Sequence, residues 1–309
     1  DCAKPGICAS AGRGGAAMDA ALFQRFSPRE YHRRFLADGL RPDGRGLHER
    51  RCARLQRSAI GAAHGSASVR LGRSAAVAGV RAEVTEAVPE LPARGHVAVA
   101  VELPALCSQR FREKHRTAGL ATFLSGALAD ILNNSHVLDP AQLDVREGEV
   151  FWVLHVNVLC LNFDGNAFDL CLLAALAALE DTALPALAPD PCSAVPEPLR
   201  LVEASPGAAD AVFEARRLLL LSRPLPATFA RLPGKQWVLD PCAAEEELGT
   251  SVSLCLVAGR WLVFHQGGAA EVERFVGELM PSARSCMHVL TELLDKRETG
   301  ALLCDGAAG

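Results

Sequence analysis

The chain has 309 residues, half of them apolar and 22% charged, with a formal net charge of −4. That composition describes a globular chain with room for one large or two ordinary domains, and it excludes a disordered one. It also excludes a global positive field, so any hold on nucleic acid must come from local patches.

Residues 1–17 are small, Gly/Ala-rich and patternless, and the first methionine is Met18. They read as a disordered upstream extension, with Met18 as the native start. Residues 18–48 form an N-terminal helix and turn. Over residues 23–39, Ser27 is placed to cap, Pro28 falls at the first helical position, and Glu30 completes a capping box. Tyr31, Phe35 and Leu36 make an apolar stripe, and Gly39 ends it. A Pro-Asp-Gly turn follows within Arg41-Pro42-Asp43-Gly44-Arg45.

From residue 50 the period changes. Residues 52–60, 67–71, 75–84 and 96–103 read as four short strands in an antiparallel meander. A basic loop at 107–116 leads to a helix over 118–133, capped by Thr117. Residues 144–148 read as a turn. Residues 151–161 are an aromatic and β-branched strand, broken at Asp164-Gly165-Asn166 before a helix over 167–179. That helix is apolar almost all round, so it must be covered on more than one side. Residues 186–212 read as a Pro-rich connection. Strands follow at 216–221, 228–231, 237–239, 251–257 and 261–265, with a hairpin turn at Gly259-Arg260. A last amphipathic helix, about 271–297, carries Pro281 as an expected kink. Residues 298–309 read as a frayed tail. The element order gives an α+β fold in two halves, 49–185 and 213–297, sharing one core or one extended sheet.

Eleven cysteines sit in apolar runs without any C-x-x-C pair, as small buried hydrophobes do. Free thiols in a reducing compartment are expected. The stretch 150–179 is interrupted by His155, Asn157, Asn162, Asp164 and Asp169, so no transmembrane span is expected. His64, His96, His136, His155 and His265 show no metal-ligand spacing, and Cys286-Met-His288 stands alone. Neither a metal nor a cofactor is expected.

Four features occur in order: RPDGRG from Arg41; Gly65-Ser66-Ala67 leading through Val69-Arg70-Leu71-Gly72 to Val77-Ala78-Gly79-Val80; Glu102-Leu103-Pro104 before a Cys-Ser-x-Arg-Phe loop; and the strand ending in Asp164-Gly165-Asn166 with its Ala-rich helix. Over residues 25–297 the chain resembles the RNase PH family, and within it the eukaryotic exosome ring subunits of the archaeal Rrp42-like branch. The resemblance implies an RNase PH-like fold, a ribosomal protein S5 domain 2-like half joined to a second α+β half. It implies a place in a hexameric ring of RNase PH-like subunits, topped by RNA-binding cap subunits and threaded by RNA. It further implies work in RNA processing and degradation, rRNA included, in the nucleus, nucleolus and cytoplasm.

Active members of the family let phosphate attack the last phosphodiester, which needs cationic donors and acids beside the scissile bond. By the resemblance, Asn134 stands at the phosphate-binding arginine and Asn157 near an upstream acid, while Asp164 remains. The site reads as degenerate, and the chain as a non-catalytic structural subunit. The alternative is a phosphorolytic 3′–5′ exoribonuclease, alone or with a partner that supplies the missing groups. A third reading is an isolated binding module.

The turn residues also have a plain reading. Asp164 and Asn166 suit a strand-to-helix turn, and Asp169 in the helix's first turn suits the helix dipole. Arg110, Arg112, Lys114 and Arg116 are the candidate RNA contacts, netting +3 over residues 110–116 with Glu113 counted. Phe111 between them is a candidate for stacking on a base. A solvated loop or a subunit contact competes. Residues 25–57 hold ten arginines against four acids, read first as a contact with another subunit and otherwise as an exposed helix face.

Overall fold

A computed structural model of the chain describes residues 22–86, 94–146, 148–189, 199–202, 216–232, 236–266, 272–296 and 301–303. The expected 1–17 extension lies outside them. The order begins with α1 (Pro28–Ala37), β1 (Ala53–Arg57), β2 (Gly65–Leu71), β3 (Ser74–Glu86), β4 (His96–Glu102), α2 (Lys114–Asn134), β5 (Asp144–Arg146), β6 (Val150–Asn162) and α3 (Ala167–Asp181). Short strands β7 (Ala183–Leu184), β8 (Ala186–Pro189), β9 (Leu199–Val202) and β10 (Arg216–Arg217) lead to the second half. That half holds β11 (Leu225–Arg231), β12 (Trp237–Leu239), α4 (Ala243–Glu246), β13 (Thr250–Val257), β14 (Arg260–Gln266) and α5 (Val272–Asp295), and β15 (Ala301–Leu303) closes the order.

The apolar stretch around α3 organises the packing. Every residue from Ala167 to Leu179 is buried. An all-round apolar helix has no face for water, so it must lie between layers. On one side it meets β2 and β3 of a seven-stranded sheet, ordered β15-β1-β2-β3-β6-β4 with β5 also paired to β6. On the other it meets β11 of a four-stranded sheet, β12-β11-β13-β14. Cys255, Val257, Leu290, Leu293 and Leu294 of the second half join the same buried cluster as Trp152, Leu154 and Val156, so the halves share one core. The close approach of β2 to the end of α3 requires glycine. A Cβ on Gly65 would lie 2.3 Å from Thr182 Oγ1 and 2.6 Å from the Ala178 carbonyl.

Several expectations change. The four-strand meander holds for β1–β2–β3 only; β4 pairs in parallel with β6, which sits between β3 and β4. Alternation identifies a strand, not its neighbour, and the most apolar strand takes an inner place with both edges paired. The expected tail contributes β15, which pairs with β1 and covers an otherwise open sheet edge. The Pro-rich connection contains β8 and β9, an antiparallel pair. Residues 144–146, read as a turn, form β5 against β6.

At helix ends, Ser27 makes no side-chain cap bond, and Glu30 instead lies 3.5 Å from Arg33 and 3.8 Å from Arg34. Thr117 lies inside α2, its hydroxyl donating to the Phe111 and Glu113 carbonyls. The β13–β14 turn sits at Ala258-Gly259, both at positive φ (47° and 79°), one residue before the expected place. Six described cysteines are free thiols, but Cys52 is disulfide-bonded, against the expectation of free thiols throughout. No described helix is long and apolar enough to cross a membrane.

Candidate functional site

The break between β6 and α3 is the most polar place in this core. Gly165 adopts φ 81° and Asn166 φ 58°. A Cβ on Gly165 would fall 2.5 Å from the Pro241 carbonyl oxygen, so the turn abuts the second half. Its backbone is held from both sides. Asp164 N–H donates to Ser74 Oγ (3.0 Å), the Asp164 carbonyl accepts from Arg51 Nη1 (2.6 Å), and Gly165 O accepts from Ser74 Oγ (2.9 Å). Asn166 caps α3 by accepting from Asp169 N–H (3.4 Å), and its own N–H donates to Glu246 Oε1 (2.7 Å).

Beneath the turn lies a buried network of arginines and carboxylates. Asp169 is fully buried. It accepts from Arg50 Nη2 (3.0 Å), Asn166 Nδ2 (3.0 Å), Thr228 N (3.3 Å) and Thr228 Oγ1 (2.6 Å). Asp240, also fully buried, accepts from Arg51 N, Nε and Nη2 (3.0, 2.9 and 2.8 Å) and from Asn166 Nδ2 (2.6 Å). Burial alone would raise the Asp240 carboxyl. Arg51, with Arg50 and Arg45 further off, outweighs it and holds the carboxyl far below the usual carboxylate range. Arg41, 1% exposed, pairs with Glu245 through both Nε and Nη2 and donates to the Leu239 (2.7 Å) and Asp240 (3.1 Å) carbonyls. Each arginine comes from the segment before β1, and Asp240 and Glu245 from the second half. The network therefore locks the halves together across the end of α3.

The three residues named as a degenerate site do not meet. Asn134 is exposed at the end of α2. The neighbouring Asn133 bonds Val97 through both amide atoms (2.9 and 2.8 Å), and Val97 pairs with Leu154. Asp164 follows the other end of β6, about eight strand residues or roughly 26 Å away. Asn157 lies between these levels, exposed and registered with Gly79 and Ala100. Asp164 is half-buried and lines a cavity of about 520 Å³ with Tyr31, Arg51, Arg73 and Glu245.

The basic loop is also partly committed. Arg110 donates to Glu246 Oε2 (3.1 Å), and its guanidinium lies 5.7 Å from the Phe163 ring centre. Burial pushes the Glu246 carboxyl up, against the Asn166 N–H and Arg110. Arg112 is exposed. Lys114 and Arg116 begin α2, and their side chains lie outside the described residues. Phe111 is only 4% exposed and packs on Phe163 with ring centres 4.8 Å apart. It is a core residue, and the expectation that it stacks on a base is withdrawn. Five of the ten arginines in residues 25–57, namely Arg41, Arg45, Arg50, Arg51 and Arg57, are likewise used inside the fold. Among the described residues no group of three or more His, Cys, Asp or Glu is placed to hold a metal.

The fold and this turn define a class. The chain belongs to the RNase PH family of 3′ exoribonucleases: the model for domain 1 of that family matches residues 49–185, and a full-length relative matches along most of both chains. That relative is the exosome complex component Rrp42 of Methanothermobacter thermautotrophicus, 30% identical over 84% of this chain and 91% of its own length. The exosome complex component rrp43 of Schizosaccharomyces pombe is 33% identical over 165 residues, 53% of this chain and 61% of that protein. Among solved structures, a chain of an archaeal exosome core superposes with a TM-score of 0.70 at 25% identity, covering 90% of this chain and all of that one. A chain of the Archaeoglobus fulgidus exosome with RNA bound to the active site superposes at 0.69 and 26% identity, covering 89% and 98%.

Proposed function

We propose that this chain is a non-catalytic structural subunit of an RNA exosome core ring, supporting 3′–5′ RNA processing and degradation through its interfaces. The observation that carries this reading is the use of the polar break. Asp169 has donors on both carboxylate oxygens and no exposure, and Arg50 and Arg51 are spent on holding the halves together. A buried, fully bonded carboxylate cannot take a proton from a reacting group. Asn134 offers no charge for phosphate and stands far from the turn. Ring subunits of the same family, RNA-binding cap subunits and RNA are the partners this reading names, and nucleus, nucleolus and cytoplasm the compartments.

The second reading, a phosphorolytic exoribonuclease, keeps one support. Asp164 is half-buried beside a cavity that Arg51 and Arg73 also line. Purified chain is incubated with single-stranded RNA and inorganic phosphate, alone and with co-expressed ring subunits. The scaffold reading expects stable co-purification with those subunits and no nucleoside diphosphate that depends on Asp164. Release of nucleoside diphosphate, abolished by Asp164→Asn, overturns it in favour of the enzyme.

A further inference from the structure

We infer that the outer face of the first sheet carries a binding site for the phosphate backbone of single-stranded RNA, built on Arg54 and Arg70. Arg54 on β1 and Arg70 on β2 are direct partners across an antiparallel pair. Both are exposed, so their side chains leave the sheet on the same face, with Cβ atoms about 5 Å apart. Like charges directly opposite each other destabilise a sheet, and nothing among the described residues relieves this pair. Among the described residues, neither guanidinium has a hydrogen bond or an ion pair, and neither does that of Arg73 in the β2–β3 turn.

Their neighbours on that face are neutral. The row through Arg54 and Arg70 continues to Ala75 and Asn162. The next row runs Gln56, Ser68, Val77 and Leu159 before it reaches an acid, Glu102, on the far strand β4. Asn162 Nδ2 donates to the Arg73 carbonyl (2.8 Å) and ties the turn to the end of β6. Arg73, in the adjoining turn, also lines the cavity that holds Asp43, Asp164 and Glu245, so the site is carried by the paired cations Arg54 and Arg70, whose neutral row neighbours leave them free to hold phosphates. An acidic protein partner is the competing occupant. A stable protein interface needs an apolar or aromatic centre, and among the residues whose exposure is described the large exposed apolar side chain at this corner is Leu161, 52% exposed. No exposed aromatic side chain lies in these rows, so the site holds backbone and does not read bases. The site is a property of the isolated chain and stands apart from ring membership.

The test is fluorescence anisotropy of labelled oligouridylate with the full chain over roughly 50–200 mM salt. Arg54→Gln/Arg70→Gln should weaken binding and lower the slope of log affinity against log salt by about 1.4, two contacts at ~0.7 each. Arg54→Lys/Arg70→Lys should keep most of the slope. Because the pair is repulsive, the Gln variant should melt no lower than the parent, which separates a lost contact from a damaged fold. An unchanged slope in the Gln variant overturns the site, as does a parent chain that fails to bind at the lowest salt. Unchanged RNA affinity with lost co-purification of ring subunits also overturns it, and assigns the corner to an acidic protein partner.

Discussion

Arginines a few positions apart in this chain have opposite fates. Arg50 and Arg51 are buried or nearly so, and each reaches a fully buried aspartate within 3.0 Å. Arg54, one strand register further on, stands exposed across from Arg70 with no acid beside it among the described residues. The residue type is the same, so topology decides. Arg50 and Arg51 precede β1, where the chain runs between the halves and meets carboxylates from α3 and the segment after β12. Arg54 has entered the strand on its outward face. Inside the fold, arginine offsets buried carboxylate charge. Outside, it is available to something else.

The largest effect should come from breaking the inner set. Asp240→Ala removes the partner of Arg51 and leaves a buried guanidinium without a carboxylate. A loss of about 3–5 kcal/mol is expected, read as a fall in the urea midpoint. The pH dependence carries a definite sign. The folded-state pKa of Asp240 lies below its ordinary value of 3.8. Its contribution is therefore fully present above roughly pH 4 and is lost as pH falls towards the folded value. Asp240→Asn should accordingly flatten the acid limb of the stability curve below about pH 4. An acid limb as steep as that of the parent would show that Asp240 is not the charge Arg51 holds.

The same contrast explains what could be read in advance. β6, the turn and α3 were legible because thirteen consecutive buried helix residues must be apolar on every side, whatever surrounds them. The inner arginine set was not legible. Arg41 and Glu245 are 204 positions apart, and nothing local in RPDGRG or in the acidic run 245–247 announces a partner. Phe111 misled because its sequence neighbours are charged, while its ring turns under the loop onto Phe163. Asn134 was joined to Asp164 by the resemblance alone, which sets it at the place of a phosphate-binding arginine. A strand of thirteen residues carries its two ends far apart. β15 was hidden because a three-residue edge strand has too little alternation to stand out from a short Gly/Ala-rich tail.

A smaller effect tests a residue between the two fates. Arg110 is paired with Glu246, yet 39% of its side chain is exposed. Arg110→Gln should cost at most about 1 kcal/mol, since solvent screens a pair this open, and Glu246 keeps the Asn166 N–H. Calorimetry reads the stability, and the RNA salt slope reads the function. A committed Arg110 should change that slope by less than one contact. A drop as large as that of Arg54→Gln/Arg70→Gln would place Arg110 with the outer set.

The smallest effect is expected in the stability of the outer set, and its sign carries the information. Arg54→Gln alone removes one member of a like-charged cross-strand pair and no hydrogen bond within the described residues. The melting temperature should stay level or rise slightly, most visibly at low salt, where the repulsion is least screened. Arg57→Gln is the natural control, because Arg57 lies three residues on in the same strand and donates to Glu180 Oε2 (2.7 Å) and the Leu294 carbonyl (2.6 Å). It should melt lower. A fall for Arg54→Gln as large as for Arg57→Gln would mean that Arg54 has a structural partner after all, and the division between inner and outer arginines would fail at the residue where it is drawn.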